Sequence, residues 1–215
     1  MPSREHAPEP TVARLALYLR SLRAASRDGV ETISSAELEK RTGITSGQIR
    51  KDLSYFGEFG RPGLGYNVTA LVARLSHIMQ LDRSHDVLIV GAGNLGAALS
   101  GYSGFPRAGF HVVAIYDNNY NKIGRKLWDL EILDVNRLPE MNRSMGVEVG
   151  LITTPAEAAQ EVADLMVQGG VKGILNFSPQ RVTVPPPAVV RHVDVTQELE
   201  VLCFFKAAQE LSAAE

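Results

Sequence analysis

The stretch Asp86-Val-Leu-Ile-Val-Gly-Ala-Gly-Asn-Leu-Gly96 runs an apolar strand into the pattern G-x-G-x-x-G. Val87 to Val90 reads as a short buried strand, and Asn94 to Tyr102 as the start of a helix. A second strand, Phe110-His-Val-Val-Ala-Ile-Tyr116, ends at Asp117, 21 residues past Gly96. That strand–helix–strand setting is what the glycine pattern needs in order to hold a dinucleotide. Gly91 permits the tight turn, Gly93 lets the backbone approach a pyrophosphate, and Gly96 allows close helix–strand packing. Ala92, Asn94 and Leu95 complete the cradle, with the phosphates on the helix N-terminus. Asp117 is placed to accept from the ribose hydroxyls, which favours NAD over NADP, although Arg125 and Lys126 nearby would suit a 2′-phosphate. The alternative is a tightly packed glycine turn that binds nothing.

The motif begins at residue 86 of 215, so it leaves little chain for a catalytic domain, and something else fills the first 85 residues. Length allows one or two domains, and 45% hydrophobic residues are enough to build cores. No apolar run approaches the ~18 residues of a membrane span, and the polar N-terminus does not read as a signal peptide. The single cysteine, Cys203, excludes an internal disulfide framework and fits a reducing compartment, so a cytoplasmic protein is expected. Charge is uneven: the first 85 residues carry 12 basic against 9 acidic side chains, the remainder 10 against 15. The positive front half suits a DNA partner.

Val12, Leu15, Leu19 and Leu22 recur at helical spacing after Pro10 and predict a first amphipathic helix. Ser34-Ser-Ala-Glu37 is a capping box opening a second helix that Gly43 closes. A third helix follows from Thr45 or Ser46 to about Phe56, making a helix-turn-helix. Its apolar face is Ile49, Leu53 and Phe56. Lys51 points the other way, flanked by Gly47, Gln48, Ser54 and Tyr55, a face suited to a major groove. An ordinary solvated helix face would look similar. The next segment, Phe56-Gly-Glu-Phe-Gly-Arg-Pro-Gly-Leu-Gly-Tyr66, reads as a tight hairpin or ribbon with interleaved aromatics, a wing with Arg61 at its tip. The residues expected at DNA are Thr45, Ser46, Gln48, Arg50, Lys51, Ser54, Tyr55, Gly60 and Arg61. Arg50 and Lys51 enter the major groove, and Arg61 contacts backbone or minor groove.

The run Gln48-Ile-Arg-Lys-Asp-Leu-Ser-Tyr-Phe-Gly-Glu-Phe-Gly-Arg-Pro-Gly-Leu-Gly-Tyr66 resembles the signature of the Rex family, the redox-sensing transcriptional repressors of bacteria. The likeness continues through Gly91–Gly96, Thr153-Thr-Pro155, Asn176-Phe-Ser-Pro179 and Val193-Asp194, so it spans nearly the whole chain. It implies an α/β protein: a winged helix-turn-helix domain, then a Rossmann-like NAD(H)-binding domain, with a C-terminal helix swapped in a homodimer. It also implies that NADH releases operator DNA and NAD+ permits binding. By the same likeness Arg20, Tyr102 and Asp194 exchange polar contacts between redox states, Asp194 coming from the other subunit. Ser178 stands where alanine is usual in the family, and Val195 where some members place an aromatic.

Other residues agree with this layout. Asn67 or Thr69 can cap a fourth helix through Leu71, Leu75 and Ile78, ending near Leu81. Val147–Thr153 and Gly173–Phe177 read as further sheet strands, with a helix from Ala156 to Gln168 between them. Ligands bind beyond the carboxyl ends of such strands. Thr153, Thr154, Pro155, Asn176, Phe177 and Ser178 fall there and are expected to line the ribose and nicotinamide pocket. After Pro185-Pro-Pro187 a short strand leads to Asp194, then a helix from Thr196 to Leu211. Val201-Leu-Cys-Phe-Phe205 is apolar around its whole circumference and needs a cover, from its own chain or from a partner subunit. Exchange of this helix gives a symmetric dimer and hence a palindromic operator. The expected domains are 1–82 (DNA-binding), 83–193 (NAD(H)-binding) and 194–215 (terminal helix).

An NAD-dependent oxidoreductase is the main competitor. It needs a general acid or base and a substrate anchor. The five histidines (His6, His77, His85, His111 and His192) are scattered, no substrate domain fits after residue 180, and no catalytic residue is assigned. No metal site, Walker loop or nucleophile elbow is legible. A DNA-binding regulator answering CoA or another nucleotide is the third reading.

Overall fold

The computed structural model describes residues 7–60 and 64–212. It divides into two compact units, Met1–Arg83 and Ser84–Glu215.

Among the described residues, the first unit is built by four helices and a two-stranded ribbon. Helix α1 (Glu9–Arg27) carries a proline in its first turn, where no intrahelical donor is lost. Leu15, Leu19 and Leu22 are buried on one face as their spacing predicts. Val12 is exposed instead, because Thr11 turns inward from the first turn to bond Asp52. Strand β1 (Thr32–Ile33) precedes α2 (Ser35–Thr42), which opens on the Ser34/Glu37 capping box and closes on Gly43 in the left-handed conformation. Helix α3 (Ser46–Ser54) is capped by Thr45 and buries Ile49 and Leu53. Strand β2 (Tyr66–Asn67) leads into α4 (Val68–Ile78), whose cap is the Asn67 side chain accepting from the Ala70 amide at 2.8 Å. Leu15, Leu22, Ile33, Leu38, Ile49 and Leu75 are among the residues of the common core.

Of the hairpin or ribbon expected here, the described residues form a ribbon. β2 pairs antiparallel with β1, Ile33 opposite Tyr66, and residues 57–60 are not strand. The pairing partner lies more than 30 residues upstream, which local turn signals do not reveal. Gly65 makes the join possible: its φ is +74°, and a Cβ there would sit 2.7 Å from the Ile33 carbonyl.

The second unit is a seven-stranded sheet. Its strands are β3 (His85–Val90), β4 (Phe110–Asp117), β5 (Lys126–Leu127), β6 (Leu130–Asp134), β7 (Val149–Ile152), β8 (Gly173–Asn176) and β9 (Val189–His192). The order is β5-β6-β4-β3-β7-β8-β9, parallel except for the β5–β6 pair at the edge. Without β5 this is the doubly wound 3-2-1-4-5-6 order, which reverses direction between β3 and β7. Side chains alternate along β3 into two cores. Leu88 and Val90 join Leu138, Val162 and Met166 on one face, and Val87 and Ile89 join Ile115 and Leu151 on the other.

The connecting helices are α5 (Asn94–Ser100), α6 (Gly104–Arg107), α7 (Leu138–Met145) and α8 (Ala159–Gln168). Several segments differ from the sequence reading. α5 ends at Ser100, before Tyr102, and the segment 156–158 is a 3-10 turn entering α8. Strands β5 and β6 and helix α7 had no counterpart in the sequence reading. The β5–β6 turn carries Trp128 at φ +55°, a conformation usually given to glycine or asparagine, so the turn has no recognisable signature.

Helix α9 (Val195–Ser212) closes the chain. Val201, Leu202, Cys203, Phe204 and Phe205 are all exposed, Phe204 at 70%. Among the described residues of the second unit, none covers them.

Candidate cofactor cavity and recognition helix

The carboxyl ends of β3 and β7, at the point where the strand order reverses, open into a cavity of about 680 Å³. That is the place and size expected of a nucleotide-sized site. Gly91, Gly93, Leu95, Asp117, Thr153, Thr154, Pro155 and Phe177 line it. Ala92, Asn94, Gly96, Asn176 and Ser178 do not.

Four of those five are accounted for by packing or by their own bonds, and Asn94 is exposed. Gly96 is buried where α5 crosses the β3 turn; a Cβ there would fall 1.8 Å from the Gly91 carbonyl oxygen. The Ala92 amide donates to Asp117 Oδ2 at 2.8 Å. Asn94 is exposed at the first position of α5. The fully buried Asn176 side chain donates to the Gln180 carbonyl at 2.7 Å, lies 3.1 Å from His192 Nδ1, and accepts from the Ser178 amide at 2.9 Å. Asn176 and Ser178 therefore shape the strand-end turn from behind, and Phe177 faces the cavity.

Asp117 is loaded. Its carboxylate accepts from the Ala92 and Asn119 amides at 2.8 Å each and from Lys122 Nζ at 3.0 Å. Burial opposes its charge, but those donors outweigh burial and hold the carboxyl below its ordinary range. With about four acceptor positions on a carboxylate, one remains for a ribose hydroxyl. Lys122, rather than Arg125 or Lys126, is the cation lining this end. Val135, Val162 and Leu165 form an apolar flank, with Asn136 beside it, that the sequence reading missed. It is assembled from two separate segments, the turn at residues 135–136 and helix α8, so no local motif announces it.

The cavity fits a dinucleotide on three counts. The glycine turn leaves open space at Gly93, where a Cβ would meet no atom within 4 Å. Asp117 stands at the end of the second strand. Thr154 Oγ1, on the lining, is buried without a hydrogen-bond partner.

In the first unit, α3 exposes Arg50, Lys51, Ser54 and Tyr55 along one side. Arg50 donates to Ser35 Oγ at 2.9 Å, and Ser54 Oγ donates to the Lys51 carbonyl at 2.7 Å. Ser46 donates through its amide and hydroxyl to Glu39, which ties α3 to α2. Gly60 is exposed, and Arg61 lies outside the described residues. The buried face holds a group absent from the sequence reading. Asp52, with no exposed surface, accepts from Arg14 Nε and Nη2 (2.6 and 2.7 Å), Tyr18 (2.7 Å), Thr11 (3.2 Å) and Gln48 (2.8 Å). Burial works against its charge, yet Arg14, Tyr18 and Gln48 bring its pKa down to about 2.

Comparison with known proteins gives a consistent result. Residues 82–180 match a family described as CoA binding domain, and residues 6–54 match one described as putative DNA-binding protein N-terminus. The redox-sensing transcriptional repressor Rex of Carboxydothermus hydrogenoformans is 48% identical over 92% of this chain and 95% of its own. The Streptomyces coelicolor protein of the same description is 44% identical over 96% and 81%. The chain belongs to the Rex family of redox-sensing transcriptional repressors. Two solved structures of the Rex-family repressor RSP align along nearly the full length. RSP in complex with β-NAD+ and operator DNA gives a TM-score of 0.89 at 35% identity, covering 96% of this chain and 95% of that one. RSP in complex with β-NADH gives 0.87 at 32% identity, covering 97% and 98%.

The three residues that the Rex resemblance assigns to switching have these settings. Arg20 is exposed on α1. Tyr102 is exposed just beyond α5, its ring edge-on to Phe105 at 5.3 Å. Asp194 accepts from the Thr196 and Gln197 amides at 2.9 and 3.2 Å and so caps α9. Trp128 went unnoticed in the sequence. Its indole donates to the Ala97 carbonyl on α5 at 3.2 Å, and its ring fills the space a Cβ on Gly101 would need.

Proposed function

We propose that this Rex-family protein is a DNA-binding repressor that reads the NADH/NAD+ ratio, holding operator DNA when NADH is low and releasing it when NADH binds. The observation that carries the reading is the cavity at the β3/β7 switch point, bounded by the glycine turn and Asp117, in the same chain as a helix-turn-helix unit. RSP, similar along nearly the whole chain, was solved with NAD+ and operator DNA and with NADH.

In this reading the glycine turn and the N-terminus of α5 receive the pyrophosphate. Asp117 holds the adenosine ribose, and the Val135/Val162/Leu165 flank packs the adenine. Thr153, Thr154, Pro155 and Phe177 face the nicotinamide. The two ligands differ only there, one ring cationic and planar, the other neutral. A ligand shifts an equilibrium only through its differential affinity for the two states. Driving operator-competent protein from 99:1 to 1:99 takes about 10⁴-fold preference, ~5.5 kcal/mol. No single contact supplies that, so both sites of a homodimer act together, with Tyr102, the partner's counterpart of Asp194, and Arg20 as the coupling route. The apolar, uncovered α9 is the surface that pairs the subunits. Arg50 and Lys51 enter the major groove of a palindromic operator in the cytoplasm, with Arg61 on the backbone or minor groove. The bound nicotinamide is sensed and not turned over.

Operator binding followed during titration with NADH, NAD+ and CoA tests this. NADH is expected to release the duplex and NAD+ to leave it bound. Release by CoA alone would favour a different nucleotide, the alternative that the family match over residues 82–180 raises. Trp128, the single tryptophan, sits on α5 and gives a direct signal. Its emission should be quenched by NADH, which absorbs where indole emits, and far less by NAD+. Steady NADH absorbance during prolonged incubation separates the sensor from an oxidoreductase.

Asp117 supports a second prediction. NADH is expected to bind well over tenfold more tightly than NADPH, and Asp117→Ala to erase most of that preference. Equal affinities in the unmodified protein, measured by calorimetry, contradict the ribose assignment.

A further inference from the structure

Gln48 lies in the first turn of α3, the part of a recognition helix that reaches base edges in helix-turn-helix proteins. Its side-chain amide is not free to turn. Gln48 Nε2 lies 2.8 Å from Asp52 Oδ1, one turn along the same helix. Asp52 is fully buried and also receives Arg14, Tyr18 and Thr11, so it is a carboxylate, and a carboxylate only accepts. The amide group facing it must therefore be the NH2, which leaves the Gln48 carbonyl oxygen as the end turned away from Asp52. Turning the amide over would set two acceptors against each other beside a buried charge.

Resting on the DNA-binding reading above, we propose that Gln48 is a specificity-determining residue that acts as a hydrogen-bond acceptor, with Asp52 as its positioning residue. An unrestrained glutamine can present either end of its amide to a base. This one is set to read an exocyclic amino group in the major groove, N6 of adenine or N4 of cytosine. The keto groups O4 of thymine and O6 of guanine find no donor at this point. The buried carboxylate thereby converts an ambiguous side chain into a one-way reader, and ties its setting to α1 through Arg14 and Tyr18.

The test uses the full-length protein with NAD+ and a random duplex library, selected in parallel with Gln48→Met. Methionine keeps the length of the side chain and removes only one of the donors on Asp52, so folding is retained and can be checked by thermal melting. The base pair at which Gln48→Met loses selection is then rebuilt without its exocyclic amino group, using purine deoxyriboside for adenine or 2-pyrimidinone for cytosine. Expected is a loss of about tenfold in affinity for the unmodified protein, and none for Gln48→Met. Asp52→Asn, where it folds, lets an amide NH2 face Gln48 and should move the sensitivity to the keto group of the same pair. The proposal is overturned if selection by Gln48→Met matches that of the unmodified protein at every position. It is equally overturned if the unmodified protein tolerates loss of the amino group while loss of the keto group or of purine N7 weakens it. Failure of the unmodified protein to enrich any sequence overturns the DNA-binding reading itself, a different outcome.

Discussion

Gly96→Ala is expected to abolish NADH sensing while leaving operator binding intact. The added methyl would lie 1.8 Å from the Gly91 carbonyl oxygen and 2.9 Å from Thr153 Oγ1. Neither neighbour can give way cheaply. Gly91 sits at φ +108°, its carbonyl accepts from Thr153 Oγ1 at 2.8 Å, and a Cβ at Gly91 would itself meet Thr153 at 2.8 Å. Helix α5 must therefore move off the β3 turn, and the cradle for the pyrophosphate opens with it. Overpacking of this kind costs ~1–3 kcal/mol of stability. A loss of NADH affinity at the upper end of that range is expected, roughly 100-fold, since 1.4 kcal/mol is tenfold. The mutation lies in the second unit, so the variant should still bind operator and become blind to NADH. Calorimetry with NADH and an operator-binding assay on the folded variant decide it. A folded Gly96→Ala protein with unchanged NADH affinity removes the site from this turn.

Asp52→Ala is expected to unfold or severely weaken the first unit while NADH binding persists in the second. The substitution removes the acceptor for five donated hydrogen bonds and leaves Arg14 beside a cavity without its counter-ion. Breaking a buried pair by deleting one member costs about 3–5 kcal/mol. For a unit of this size that lowers the melting temperature by roughly 15 °C or more. Calorimetry should show the loss in one transition, with operator affinity gone. A variant melting within a few degrees of the unmodified protein would mean that Asp52 is dispensable. The same group sets an acid limit. Its folded pKa, about 2, lies below the ordinary value of 3.8. Its contribution is thus fully present above the unfolded value and is lost as pH falls from about 4 towards 2. The first unit should melt earlier across that window, and the Asp52→Ala protein should show less of that dependence.

Much of this protein follows from local sequence. The run from Asp86 to Gly96, with Asp117 after it, determines the first β-α-β unit and its glycine turn, because each step depends on residues close along the chain. The Ser34/Glu37 box and Gly43 likewise determine where α2 begins and ends, through bonds three or four residues long. What lies across the chain had to wait for the tertiary structure. The pairing of β2 with β1, the apolar cavity flank from Val135, Val162 and Leu165, and the bond from the Ala92 amide to Asp117 all join distant segments. Asn176 and Ser178 fall at a strand end by sequence, yet they face away from the cavity because their bonds to Gln180 and His192 close the turn behind it. Asp52 is the clearest case. Its neighbours in sequence mark it as a polar helix residue. Only the packing of α1 against α3 brings Arg14 and Tyr18 within 3 Å, buries the carboxylate, and so fixes which end of the Gln48 amide turns away from it.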